Sequence, residues 1–223
     1  VGVPLPNSTR RLHSLRPILP LALTLTLAPL VSASDVRGMR NQLVGHPRSR
    51  FPLKVYVEDR AAGASNSAIW DAVTQWNKVS ERALKTPVFA RTDNRAKAEI
   101  VIRVAASGGG SREMGVTDLN ADQRGVIRLP VKIQLNTPKP RGGTAAQQML
   151  FDVTAHELGH ALGLPHINEP NSIMCCDPKG INFRDPAIRA AYIDARRHPK
   201  LESLAPELAS HYHKFWRESA SGL

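Results

Sequence analysis

The sequence predicts an α+β fold: a sheet of four to five strands, a helix on which two histidines share one face, and helices at the C-terminal end. Three observations predict it. Short β-branched runs recur between residues 51 and 137. A stretch with helical apolar spacing, residues 65–84, stands between the first and second of them. A later stretch, residues 144–163, runs with no breaker but Gly159 and carries His156 and His160 four positions apart. The chain has 223 residues, 42% of them hydrophobic and 22% charged. That is enough to bury one sizeable core, and it excludes a fibrous or largely disordered chain.

The elements follow in order. "FPLKVYVED" sets Leu53, Val55 and Val57 against Lys54, Tyr56 and Glu58, the two-residue period of a strand. In "SNSAIWDAVTQWNKVSERAL", Ile69, Val73, Trp76 and Val79 fall at helical spacing, with Trp70 and Trp76 expected in the core. "PVFAR" and "AEIVIRVA" read as two more strands, and "SGGGS" (residues 107–111) as a flexible loop. "GVTDL" and "GVIRLPVKIQLN" read as further strands joined by the turn-rich "NADQR". Pro130 inside the second argues for an edge position or a bulge. Thr144 and Gln147 have capping-box spacing at the start of the histidine-bearing helix. Beyond it, "DPAIRAAYIDARRH" and "LESLAPELASHYHKFWRE" read as two C-terminal helices.

The N-terminus reads as a targeting segment rather than as part of the fold. Arg10, Arg11 and Arg16 precede an apolar run from Pro17 to Val31, and small residues follow at Ser32 and Ala33. Residues 1–33 therefore have the three parts of a secretory signal peptide. The apolar run is too short for a comfortable membrane span, and Pro17, Pro20 and Pro29 interrupt it as a buried helix. No stable membrane span is expected after processing, and the expected location is secreted, extracellular or periplasmic. Residues 34–50 are polar and without period, and read as a linker or short pro-segment. The formal charge is +11, but the basic residues are scattered, so a soluble basic surface is expected and nucleic acid is not.

The chemistry gathers in "TAHELGHALGLPHINEPNSIMCC", Thr154 to Cys176. His156 and His160 lie one turn apart on one helix face and can bind one metal ion from the same side. Glu157 is rotated by about 100° from His156. It is placed to reach a water at the metal rather than the metal itself. Gly163 ends the helix by a left-handed turn and redirects the chain, so that His166 can approach the same ion. Three imidazoles with one open position are the donor set of a catalytic zinc. On this composition the two-histidine motif alone arises by chance in roughly one such chain in a hundred. Gly163 and His166 lower that by a further factor of roughly 400. His46, His198, His211 and His213 have no such spacing and read as surface or satisfied residues.

"HELGHALGLPH" followed by "SIM" resembles the metzincin clan of zinc endopeptidases, and within it the matrixin-like group. Pro170 falls four residues after His166 and Met174 eight, as in matrix metalloproteinases. The resemblance covers about residues 51–176. It implies a metzincin-like zinc protease domain with a mixed, twisted sheet. It also implies His156, His160 and His166 as zinc ligands, Glu157 as general base, and Met174 as the residue of a methionine turn beneath the site. Residues 178–200 would be an insertion near the cleft. "GVTDL" would be the edge on which an extended peptide lies, and residues 167–173 would wall the pocket for the residue after the cut.

The departures are specific. Astacin- and serralysin-like members carry a tyrosine two residues after the methionine, where this chain has Cys176. No histidine stands between His46 and His156, so the second, structural zinc of matrix metalloproteinases is not expected. Both cysteines follow the zinc helix, so a cysteine-switch propeptide is not expected either. Cys175 and Cys176 leave open a vicinal disulfide, a reduced pair and a zinc-bound thiolate. Asp118, Asn120 and Asp122 have the alternate spacing of calcium ligands, but a plain surface turn is the favoured reading. The expectation is a signal peptide (1–33), a linker (34–50), and a zinc metalloendopeptidase domain with a C-terminal helical extension (51–223). Its partner would be a protein or peptide substrate and its cofactor one catalytic zinc. The alternative is a catalytically silent zinc-site binding module of the cell envelope.

Overall fold

The computed structural model describes Gly2 and residues 42–58, 64–106, 114–137, 144–176 and 180–221. The expected signal segment, the glycine-rich loop 107–111 and the Thr144 side chain lie outside them. Five strands and four helices make the frame: β1 (Leu53–Glu58), α1 (Ala64–Leu84), β2 (Phe89–Arg91), β3 (Ile100–Ala106), β4 (Gly115–Asp118), β5 (Val131–Thr137), α2 (Thr144–Ala161), α3 (Pro186–Arg197) and α4 (Ala205–Ser221).

The strands form one mixed sheet in the order β2-β1-β3-β5-β4, parallel except for β4, which runs antiparallel to β5 at the edge. Period-2 alternation gives the sheet one apolar face. Leu53 and Val55, then Ile100, Ile102 and Val104, then Val131, Ile133 and Leu135 are all buried. Lys54, Arg103, Lys132 and Gln134 between them are exposed. The register aligns Ile102 with Ile133 and Val104 with Leu135, so the apolar rows are continuous across strands. Each fully buried aliphatic in those rows contributes about 1.5–3 kcal/mol. Helices α1 and α2 cover the apolar face. Ile69, Ala72, Val73, Trp76 and Val79 of α1 are buried, and Trp76 Nε1 donates to Ala155 O of α2 at 2.8 Å. Trp70, expected in the core, is only half-buried, with the Arg91 guanidinium stacked 4.8 Å from its ring centroid.

Two expectations change. The run 125–136 is not one strand. β5 starts at Val131, immediately after Pro130, and lies between β3 and β4 rather than at an edge. A proline has no N–H for the ladder, so regular pairing begins beyond it. Gly125–Ile127 instead serve the N-terminal segment: Gly45 N–H donates to Gly125 O at 3.0 Å and Ile127 N–H to Gly45 O at 2.9 Å. In consequence the polar stretch before Phe51 is packed at its end, with Val44 and His46 buried.

Helix α4 holds that segment down. Leu208, Tyr212 and Phe215 are buried at helical spacing, together with Leu204 just before them. Trp216 Nε1 donates to His46 O at 2.9 Å and His211 Nε2 to Val44 O at 2.8 Å. The carbonyls at the end of α2 have no partners within the helix. His46 Nε2 donates to Ala161 O at 2.9 Å and the Tyr212 hydroxyl to Leu162 O at 2.9 Å. The end of the histidine-bearing helix is thus fixed by the segment before β1 and by α4.

His46 carries a pH consequence. Burial lowers its pKa to about 4, against the opposing bond to Ala161 O and with help from the Arg50 charge. A folded-state value below the ordinary 6.5 means that protonation favours the unfolded chain. Its contribution is complete above pH 6.5 and falls as the pH drops towards 4, by up to roughly 3 kcal/mol. Denaturant unfolding in chelator should therefore show a flatter loss of stability between pH 6.5 and 4 in His46→Gln than in wild type. Equal slopes would show that His46 is not the titrating group.

Candidate metal centre

Helix α2 is buried throughout its last two turns, from Thr154 to Ala161. His156, 5% exposed, and His160, 1% exposed, stand one above the other there. After Ala161 the chain turns at Gly163, where φ is +88° and a Cβ would collide with Val44 O. Gly163 N–H donates to His160 O at 2.8 Å and Leu164 N–H to Gly159 O at 3.0 Å, closing the helix end. Past the turn, His166 points back at the first two imidazoles.

The three Nε2 atoms form a nearly equilateral triangle. His156 to His160 is 3.1 Å, His156 to His166 3.1 Å, and His160 to His166 3.2 Å. A hydrogen bond does not explain the His156–His160 approach. His156 Nδ1 donates to Ile173 O at 2.7 Å and His160 Nδ1 to Leu164 O at 2.8 Å. Carbonyls only accept, so both rings carry their proton on Nδ1 and turn the Nε2 lone pair inward. Burial also pushes both towards the neutral form, His156 well below its ordinary value and His160 to about 3, with the neighbouring imidazoles adding to the effect. Converging lone pairs repel unless a cation stands between them. His156, His160 and His166 would hold such an ion, and imidazole nitrogens are ordinary zinc ligands. The three donors fit such an ion in type and spacing, and His156 and His160 fit it in protonation as well.

Beneath them runs the loop to Met174. Ile167 N–H donates to Met174 O at 3.1 Å, and Met174 N–H to Ser172 Oγ at 3.0 Å. Met174 is fully buried, and its Sδ occupies the space that a Cβ on Gly159 would take. That explains a glycine in mid-helix. Alanine there would gain about 1 kcal/mol of helix propensity but displace the methionine, and overpacking costs about 1–3 kcal/mol. Gly159→Ala should therefore lower the denaturant midpoint despite the better helix former. An unchanged or raised midpoint would show that the methionine moves aside freely.

Sequence reasoning missed three contributors. Arg196 of α3 reaches back to this loop, donating to Cys175 O at 3.0 Å and to Ser172 O and Ile173 O at 3.4 Å. Ile173 O is the acceptor of His156 Nδ1, so α3 supports that ring indirectly. Gly115 and Thr117 of β4 both meet Glu157. The Glu157 side chain is fully buried, and Thr117 Oγ1 donates to its Oε2 at 2.7 Å. Nearby, burial pushes the Asp152 carboxyl up to about 7, against the Gln148 hydrogen bond and the Arg196 charge.

The remaining sequence candidates lie apart. Among the described residues, the His, Cys, Asp and Glu side chains that converge as a metal-ligand group are His156, His160 and His166. Cys175 and Cys176, whose sulfurs meet each other, are not part of that group. Asp122 Oδ1 accepts from Arg124 N and Val126 N at 2.9 Å each, and these bonds hold its carboxyl below the usual range. Asn120 Nδ2 donates to Asp118 Oδ1 at 3.3 Å, so the expected turn uses its own oxygens. His198 pairs with Asp194, and His213 is exposed.

The matrixin family model matches residues 50–179, more than half of the chain. The chain belongs to the matrixin family. Matrixins are zinc metallopeptidases, and the histidine triangle is a group of side chains that could hold a metal ion. The match stops before α3 and α4, so Arg196 and the helix that anchors Val44 and His46 lie beyond the matched region of this matrixin. No curated protein matches the chain. Among the described residues no helix is long and apolar enough to cross a membrane.

Proposed function

We propose that this matrixin is a secreted zinc-dependent endopeptidase that hydrolyses peptide bonds, with His156, His160 and His166 as ligands of one zinc and Glu157 as general base. The observation that carries the reading is the triangle of inward-facing Nε2 atoms beside a buried carboxylate on the same helix. When bound, zinc supplies Lewis-acid chemistry, acidifying a water and polarising the scissile carbonyl.

The chain's own residues do the rest. The two Nδ1–H bonds to Ile173 O and Leu164 O hold the rings and keep Nε2 unprotonated. Glu157 takes a proton from the attacking water and returns it to the leaving amine. Strand β4 lies at the sheet edge, where an extended protein or peptide substrate can add as a further strand. Residues 167–173 wall the pocket for the residue after the cut. Secretion rests on the three-part pattern of residues 1–33. A silent binding module would have no use for a buried carboxylate that binds no metal, so the peptidase reading is preferred.

The test is digestion of denatured casein by the mature protein. Cleavage should stop with a chelator and return with zinc. A zinc-loaded protein that leaves casein and an unbiased peptide library intact would overturn the reading in favour of the binding module.

A further inference from the structure

We propose that Thr117 is a positioning residue for Glu157, whose carboxylate it fixes through its hydroxyl. The proposal rests on the peptidase reading above and adds a residue from a different element to it. Thr117 is fully buried in β4. Its Oγ1 lies 2.7 Å from Glu157 Oε2 and 3.1 Å from the Glu157 backbone O. One hydroxyl carries one proton. The carboxylate is the nearer acceptor and the charged one, and O–H bonds to a carboxylate are short and about twice as strong as neutral ones.

Gly115 completes the arrangement. It lies two residues earlier, on the same face of the strand. A Cβ at Gly115 would stand 2.6 Å from Glu157 Oε1 and 2.7 Å from its Cγ. One position of β4 thus leaves room for the carboxylate and the next holds it by a donor. A glutamate side chain has three torsions to fix before it can act on a water. Anchoring Oε2 from the strand removes that freedom in advance and leaves Oε1 beside the edge along which the peptide would lie. Preorganisation of this kind acts on the turnover step rather than on substrate binding.

The competing account is a purely structural tie, in which the hydroxyl bonds the Glu157 backbone O and joins β4 to α2. Two substitutions separate the accounts. Thr117→Val keeps the shape and removes the hydroxyl, and Thr117→Ser keeps the hydroxyl. In the zinc-loaded mature protein, Thr117→Val should lose about 10–100-fold in kcat, the worth of a hydrogen bond to a charged group. KM and zinc content should not move, and Thr117→Ser should recover most of the loss. A second readout needs no turnover. In metal-free protein, the infrared carboxylate stretch of Glu157, assigned by subtracting the Glu157→Gln spectrum, should shift in Thr117→Val and not in Thr117→Ser. A Thr117→Val protein with wild-type kcat and an unshifted band, even if less stable, would overturn the proposal. Wild-type protein that cleaves nothing would overturn the peptidase reading instead, and the infrared band would then decide the contact by itself.

Discussion

Replacing Glu157 by Gln should abolish most of the peptide cleavage while leaving the metal and the fold in place. The two side chains have the same size, and the site already contains the partner that the amide needs. Thr117 Oγ1, which donates to Glu157 Oε2 at 2.7 Å, can donate equally to an amide oxygen. Gln therefore fits the space beside Gly115 and keeps the bond from Thr117, and the unfolding temperature should stay near that of wild type. What disappears is basicity, because an amide does not take a proton from water near neutral pH. A lost general base costs about 10²–10⁴ in rate, or roughly 3–5 kcal/mol of barrier. The measurement is kcat on one peptide, together with zinc content by elemental analysis. An active Glu157→Gln protein would remove Glu157 from the mechanism, and loss of zinc would mean that it supports the ligands.

The parts of the fold visible in the sequence are those written in short-range side-chain patterns. Leu53 and Val55, Ile100 to Val104 and Val131 to Leu135 stand out because one face of each strand is buried and the other is not. Strand order and direction leave no such mark, since a period of two is the same in parallel and antiparallel pairs. The mixed sheet followed from the family resemblance rather than from the pattern. Residues 43–47 were illegible for another reason. Gly45 is held by two backbone hydrogen bonds to Gly125 and Ile127, which any sequence can make. The segment's few apolar groups show no period, and its partners on α4 are His211, Phe215 and Trp216, far along the chain.

The candidate site divides along the same line. Its histidines lie within eleven residues, so helix periodicity and one glycine turn were enough to bring them together on paper. Thr117 and Glu157 are 40 residues apart, and Arg196 and Cys175 are 21 apart. Those meetings depend on how β4 and α3 pack against α2. The one local hint was Gly159, which interrupts an otherwise strong helix and is explained by the sulfur of Met174 against it.

His166→Ala tests the metal centre from the side of the ligand outside the helix. The expectation depends on whether metal is present. With zinc, removal of a direct ligand should weaken binding by more than the about 10–100-fold typical of outer partners. Because zinc binds the folded state, a hundredfold loss near saturation removes about 2.7 kcal/mol of stability. Without zinc the sign is different. His156 and His160 already turn neutral Nε2 lone pairs towards each other at 3.1 Å, and His166 brings a third nitrogen to the same point. Truncating it relieves that crowding, and His166 is only half-buried, so little packing is lost. The metal-free variant should therefore be at least as stable as metal-free wild type. Thermal unfolding of both proteins, with zinc and with chelator, gives the four values needed. A large loss in zinc that vanishes in chelator is the signature of a ligand. Equal destabilisation in both conditions would make His166 a packing residue, and unchanged zinc affinity would remove it from the site.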